Sequence, residues 1–268
     1  MTPRHGFSLV ELLVVITIIV VLLALLSPAL DKAVYESELA ACAAKLKAHG
    51  GIATLYAMDH RRSYLWRPAI RAELNWRPDY LAFTQNSPDW DDRPGLRRYM
   101  DINAIFVCPL NKRVDFELAE QYVVDPRVTL ISSYQFWYGF RYRPLRGMFR
   151  LGDRLEWKEG ASGSVDRFSV LASDTDMANF QNRWSNVGHP DQTEFLRAAY
   201  SQANGVWSFW ARWENMVPNR GPIDRGFVFE DNSAALMREV ILDDPRLIPV
   251  GEYSGLTSSS ATRTWLPR

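Results

Sequence analysis

Glu11 is the one charged residue between Phe7 and Leu30, in a stretch that otherwise reads FSLVELLVVITIIVVLLALLSPAL. An ionised carboxylate in apolar surroundings costs several kcal/mol unless a cation meets it, so its position poses a question of chemistry. The other candidates have weaker spacing. Asp174 and Asp176, in Ser173-Asp174-Thr175-Asp176, are carboxylates two apart after an apolar run. Calcium, a hard cation that takes clustered oxygens, is the one cofactor they offer; the plainer role is that of aspartate in a turn. Asp91-Asp92 and Asp243-Asp244 read as loop charge. His5, His49, His60 and His189 are the only histidines, and none has a metal-ligand spacing such as HExxH. Gly160-Ala161-Ser162-Gly163 starts like a nucleophile elbow, but Ser164 stands where its last glycine is required. No catalytic residue emerges, and the expectation is a protein that is not an enzyme.

Two cysteines, Cys42 and Cys108, lie far apart and outside any CxxC pair, which leaves zinc ribbons and thioredoxin-like motifs without support. Two readings stand: a disulfide formed outside the cytoplasm, or two buried free thiols. A bond closing that loop would contribute about 4 kcal/mol on chain-entropy grounds. Ten tryptophans are many for this length, and Trp207, Trp210 and Trp213 form their densest group. On a strand Trp207, Phe209 and Trp213 would share a face and Trp210 would oppose them. Such a surface suits sugars or a protein partner; core packing is the alternative.

The elements that position these residues begin with the apolar run. As a helix, residues 7–30 extend about 36 Å, enough for the ~30 Å core of a bilayer. Arg4 before the run is the charge expected to stay cytoplasmic. A plain single-span anchor accounts for the length and not for Glu11. A secretory signal cut after Ala29 has the small-x-small pattern in Ser27-Pro28-Ala29, but its run is long and carries a proline and a glutamate.

The string Gly6-Phe7-Ser8-Leu9-Val10-Glu11 taken whole resembles the prepilin signal of type IV pilins and type II secretion pseudopilins. In that family a short basic leader ends in glycine, and a membrane peptidase cuts after it. The new terminal residue, usually phenylalanine, is N-methylated, and the fifth residue of the mature chain is glutamate. Counted from Phe7, the fifth residue is Glu11. The resemblance implies cleavage between Gly6 and Phe7, methylation of Phe7, and an ion pair in assembly between Glu11 of one subunit and the Phe7 amine of its neighbour. Pro28, at mature position 22, also has counterparts in similar proteins, where it loosens the helix; a helix end at the membrane surface is its other reading.

Residues 31–60 continue with Leu39, Ala43, Leu46, Gly50, Ala53 and Ala57 at spacings of three and four, one face of a helix. Gly50-Gly51 predicts a kink or a break in it. Cys42, Leu46, Lys47, Tyr56 and Asp59 are similar in order and spacing to a stretch in a group of pseudopilin-like proteins that end in an H-x9-DG segment, although Lys45 replaces that group's asparagine. Phe106-Val107-Cys108-Pro109 and Ser133-Tyr134 resemble its later segments, as does Phe168-Ser169-Val170-Leu171-Ala172-Ser173-Asp174. Gly226-Phe227-Val228-Phe229-Glu230-Asp231 stands where the group has a hairpin ending in Asp-Gly-His. Here Asn232-Ser233 follow Asp231, and no intact H-x9-DG segment exists.

Strands are predicted at Thr129–Tyr138 and Phe168–Ala172, and a hairpin at Phe227–Phe229 and Ala234–Met237 around Glu230-Asp231-Asn232-Ser233. Between Tyr64 and Leu110 the text predicts irregular structure, and Glu117–Tyr122 a short helix. The Ser/Thr-rich residues 255–268 read as a mobile tail. Lys plus Arg and Asp plus Glu both total 31, so no basic excess points to nucleic acid. The expected fold is α+β, a long N-terminal helix, its first half transmembrane, packed on an antiparallel sheet with irregular loops. The expected segments are a leader at 1–6, a transmembrane helix at 7–30, its amphipathic continuation at 31–60, an extracytoplasmic domain at 61–254 and the tail. The resemblance implies an inner-membrane, single-pass subunit with a cytoplasmic N-terminus and a periplasmic domain. Its implied partners are the prepilin peptidase, other pilin-like subunits, secretion or pilus assembly proteins, and the lipid bilayer. The competing reading is a membrane-anchored binding module for carbohydrate or protein that uses the tryptophan-rich surface.

Overall fold

The computed structural model describes residues 9–66, 80–83, 90–100, 108–110, 130–139, 141–142, 145–158, 163–174, 176–179, 184–187, 200–203, 206–209, 211–212, 223–241, 244–250 and 262–268. The chain divides into two compact units, Met1–Ala40 and Ala41–Arg268. Helix α1, Leu9–Asp59, supplies residues to both. In the first unit its described part is an apolar helix with its side chains in solvent from Leu9 to Val34. Leucine, isoleucine and valine fill successive turns with no polar face, the pattern of a helix whose whole circumference meets an apolar medium. Thr17 spends its hydroxyl on the carbonyl of Val14, 2.8 Å away. Pro28 does not end the helix; it removes one backbone donor while the flanking turns continue.

The second unit is built from α1 residues 41–59 and short antiparallel strands. In chain order these are β1 Tyr80–Phe83, β2 Trp90–Asp91, β3 Leu130–Ile131, β4 Tyr134–Phe136, β5 Arg141–Tyr142, β6 Leu145–Arg146, β7 Leu155–Lys158, β8 Val165–Phe168 and β9 Val170–Asp174. There follow β10 Asp176–Asn179, β11 Trp184–Val187, β12 Tyr200–Ala203, β13 Val206–Phe209, β14 Ala211–Arg212, β15 Ile223–Phe229, β16 Ala234–Val240, β17 Leu247–Val250 and β18 Thr262–Pro267. A one-turn helix α2, Arg93–Leu96, follows β2. The sheet under α1 has the order β16-β15-β9-β4. The meander β5-β6-β7-β8 and the sheet β14-β11-β10-β18-β17 accompany it, with smaller β2-β1-β3 and β12-β13 sheets.

Strands β9 and β15 are buried along their whole length except at Phe229. Successive side chains on a strand point to opposite faces, so this sheet is covered on both. Toward α1 lie Tyr134, Phe136, Ala172, Asp174, Gly226 and Val228, brought level by the pairs Tyr134 with Asp174, Phe136 with Ala172, and Val228 with Ala172. The other face carries a polar chain, in which Trp137 Nε1 donates to Ser173 Oγ and Ser173 donates to Gln135 Oε1. The Arg225 guanidinium lies 4.9 Å over the Phe227 ring on that face.

The helix face that meets the sheet is Cys42, Leu46, His49, Gly50, Ala53 and Ala57, all buried. Ala43, expected on this face, is half-buried, and His49 takes a core place between the rings of Tyr134 and Phe136, 5.1 and 5.0 Å away. Gly50-Gly51 does not break α1, which continues to Asp59. A Cβ on Gly50 would lie 2.4 Å from Val228 Cγ1 and 2.9 Å from Asn232 Oδ1, so the glycine is there to let backbone and sheet approach. Gly226 does the same from the sheet side, where a Cβ would meet Leu46 Cδ2 at 2.9 Å.

Other expectations are corrected. The run Thr129–Tyr138 is not one strand: Ser132-Ser133 separate β3 from β4, which enter different sheets. The hydroxyl of Ser132 accepts the Tyr134 N–H at 3.1 Å and turns the chain between them. Phe168–Ala172 likewise divides at Ser169 between β8 and β9. The tail is not mobile over Thr262–Pro267, which is β18, paired with both β10 and β17; ladder bonds on two sides outweigh the low apolar content that suggested mobility. The hairpin β15–β16 forms as read from sequence. Its tip holds Asn232 at φ +61°, a left-handed position that asparagine tolerates better than most residues. Glu117–Tyr122 lies outside the described residues.

Replacing Gly50 by alanine tests the close approach. Helix propensity favours alanine by roughly 1 kcal/mol, whereas overpacking against Val228 costs about 1–3 kcal/mol. Both Val228 Cγ1 and Asn232 Oδ1 would have to move for the added methyl, so denaturant unfolding of the full chain in detergent is expected to show a net loss of stability. A gain would mean that the helix rides higher on the sheet.

Candidate functional site: the N-terminal signal and the disulfide under the helix

Glu11 lies in the first turn of α1, where a carboxylate complements the helix dipole. Gly6 and Phe7 are outside the described residues. The first part of α1 is long and apolar enough to cross a membrane by length and composition.

In the second unit, Cys42 and Cys108 are joined by a disulfide with their Cα atoms 5.1 Å apart. The bond ties α1 to the turn at 108–110. Its surroundings are polar and closed. The Tyr134 hydroxyl sits 3.2 Å from Cys42 Sγ and donates toward the Cys42 carbonyl oxygen at 3.4 Å. Burial, and then the charge of Asp174, push the Tyr134 phenol well above its ordinary value, which keeps it a donor. Asp174 Oδ2 accepts the Gly226 N–H at 2.5 Å, and Oδ1 lies 3.8 Å from Cys42 Sγ. A half-cystine sulfur has no proton to give, so this last approach is a contact between a carboxylate and a sulfur. Arg225 Nη2 reaches the Asp174 carbonyl oxygen at 3.5 Å from the far side of the sheet.

Asp174 therefore sits inside the core, and its carboxylate joins β9 to β15. Asp176 opens β10, a strand of another sheet, and its side chain is outside the described residues. Among the described residues no group of three or more His, Cys, Asp or Glu converges in a way that could hold a metal ion. Trp207 lies in β13 opposite Gln202, with its side chain outside the described set; Trp210 and Trp213 lie outside it altogether. His49 is a core residue that spacing of apolar residues does not reveal, because histidine is only intermediate in its tendency to be buried. The one signal for it was its place seven residues after Cys42.

At the hairpin tip, Asp231 Oδ1 accepts the Ser233 hydroxyl at 2.6 Å and the Ser233 N–H at 2.9 Å. The hydroxyl first, and then the N–H, hold this exposed carboxyl below the ordinary aspartate range. The turn sets Asn232 against Gly50. Asn232 holds the positive φ of this turn.

Residues 1–27 match the model of the prokaryotic N-terminal methylation motif. No curated protein and no solved structure matches the chain. The motif supports a pilin-like family, whose members are processed by a prepilin peptidase and are typically structural and not enzymatic. With the apolar helix, it indicates a membrane-anchored protein.

Two outcomes test this chemistry. Asp174→Ala deletes the acceptor of a buried N–H, which costs about 1–3 kcal/mol. Denaturant unfolding should show that loss, and unchanged stability would deny the carboxylate its place between β9 and β15. Asp231 has a lowered folded value, so its contribution is complete above about pH 4 and is lost as pH falls through that value. The Ser233 amide proton resonance should titrate on acidification, with a midpoint below the ordinary aspartate range, in the native protein and not in Asp231→Asn, which stays uncharged throughout.

Proposed function

We propose that this protein is a pilin-like or pseudopilin structural subunit of a type II secretion or type IV pilus-like filament. The observation that carries the reading is the register of Gly6, Phe7 and Glu11 within the matched methylation motif, at the head of an apolar, exposed helix. A prepilin peptidase cuts after Gly6, and Phe7 is methylated on its new amine. The first part of α1 then crosses the inner membrane with the N-terminus toward the cytoplasm. The buried disulfide supports placing residues 41–268 outside the cytoplasm, since such bonds persist in oxidising compartments.

Assembly supplies the role for Glu11. Its carboxylate and the Phe7 amine of a neighbouring copy lie at similar depth, and each is costly in lipid without the other. Side-by-side packing of α1 helices brings them together, so one interaction selects register as well as partner. The protein acts by assembling.

The tests act on the first residues. Mass analysis of the membrane fraction should find a chain that begins at N-methyl-Phe7, and a chain that begins near Asp31 refutes the filament reading. Glu11→Ala should leave membrane insertion intact and reduce co-isolation of differently tagged copies at least tenfold, about 1.4 kcal/mol. Full co-isolation would remove the role given to the carboxylate.

A further inference from the structure

Among the described residues, those that contact Cys42 from the sheet come later in the chain than Cys108. Cys42 lies against Tyr134 of β4 and Asp174 of β9, and Leu46, one turn on, lies under Gly226 of β15. Cys42 is 1% exposed in the folded domain and Cys108 is 0%. Thiol–disulfide exchange needs a thiolate with access to a sulfur, so an external reagent does not reach Cys42 once these strands are seated, and in the folded domain neither sulfur is open. The bond has to close before the sheet does.

We propose that an extracytoplasmic dithiol–disulfide oxidoreductase installs this bond during export, with Cys42 as the residue that forms the mixed disulfide and Cys108 as the residue that resolves it. The inference rests on the placement of this domain outside the cytoplasm given under the proposed function. A chain exported behind an N-terminal membrane helix emerges in sequence order. Cys42 appears first, and the next thiol follows only at a sequence separation of 66. Cys108 follows, still ahead of Tyr134, the first of the covering residues. Topology thus leaves an interval in which both thiols are open and nothing yet buries them.

The chemistry balances in two exchanges. The Cys42 thiol loses its proton to solvent, and its thiolate attacks the donor disulfide. The donor S–S bond breaks, a Cys42–donor S–S bond forms, and the donor's second sulfur leaves and takes up a proton. Cys108, deprotonated in turn, attacks the Cys42 sulfur of that mixed disulfide. The Cys42–Cys108 bond forms, and the donor leaves as a dithiol. Two thiols of this chain give up two electrons, and the donor disulfide accepts them. Folding then closes the reverse path. A thiolate regenerated at Cys42 would be desolvated and 3.8 Å from a carboxylate oxygen of Asp174, and both effects oppose its formation.

Acid trapping of free thiols in cells that express the full chain tests this order. Cys108→Ala should accumulate a mixed disulfide through Cys42 several-fold above any adduct that Cys42→Ala forms through Cys108. Because the adduct precedes folding, the readout does not need either variant to fold. Equal adducts, or more through Cys108, overturn the order. A disulfide-bonded wild type with no adduct in either variant overturns the donor and leaves the proposed function standing. A wild type with two free thiols sinks the extracytoplasmic placement and this inference together. In the purified protein, glutathione should leave the bond intact in buffer and reduce it in urea; equal rates would show that burial gives no protection.

Discussion

Backbone-to-side-chain contact between α1 and the sheet is possible because Gly50 on the helix and Gly226 on β15 have no Cβ. At 2.4 Å from Val228 and 2.9 Å from Leu46, the missing atoms would push the two layers apart. With the layers close, Leu46 seals against Gly226, His49 fits between Tyr134 and Phe136, and Cys42 lies within reach of Tyr134 and Asp174. Packing at crystal-like density makes such contacts sensitive to single methyl groups. The disulfide adds a covalent limit at one end of this interface, and the hairpin tip adds Asn232 at the other.

Two carboxylates in apolar settings illustrate how one group type serves different ends. Glu11 lies in the first turn of a helix with exposed apolar neighbours, and in the proposed filament another molecule meets it. Asp174 is enclosed by its own fold, where the Gly226 N–H offsets part of its desolvation. In that proposal the first leaves a subunit incomplete by itself. The second completes the domain and guards a sulfur. Under the proposed function the N-terminus assembles, and the domain that follows is closed by its disulfide.

The edges of that domain are managed in similar physical terms. At the far end of β16, the buried Asp224 carboxylate accepts the Glu239 N–H at 2.8 Å and pairs with Arg238 at 3.2 Å. Glu239 stands at φ +52° in a bulge that breaks the register with β15. A bulge with charged side chains at an outer strand limits pairing with other chains, which is useful in a protein concentrated at a membrane.

Much was legible in the sequence because the relevant signals are local. The apolar length of residues 7–30, the register from Gly6 to Glu11 and the helical spacing of Leu46, Gly50, Ala53 and Ala57 each follow from neighbours along the chain. The hairpin around Asp231 did so too, since a turn is a property of four consecutive residues. Where the reading failed, distant contacts decided. Gly50-Gly51 looked like a helix breaker because propensity counts only backbone entropy, whereas the sheet required that space. The C-terminal residues looked mobile because the strands that pair with β18 lie at Asp176–Asn179 and Leu247–Val250.

The sequence by itself determined the anchored helix and the carboxylate at its head, since hydropathy and spacing act over a few turns. Only the tertiary structure decided what Asp174 is for. Read alone, Ser173-Asp174-Thr175-Asp176 is a pair of acids suited to a cation. In the fold β9 and β10 enter separate sheets, and Asp174 turns inward to the Gly226 N–H and the Cys42 sulfur. Its partners stand 52 and 132 residues away, and only burial of the whole sheet brings them within hydrogen-bond and contact distance.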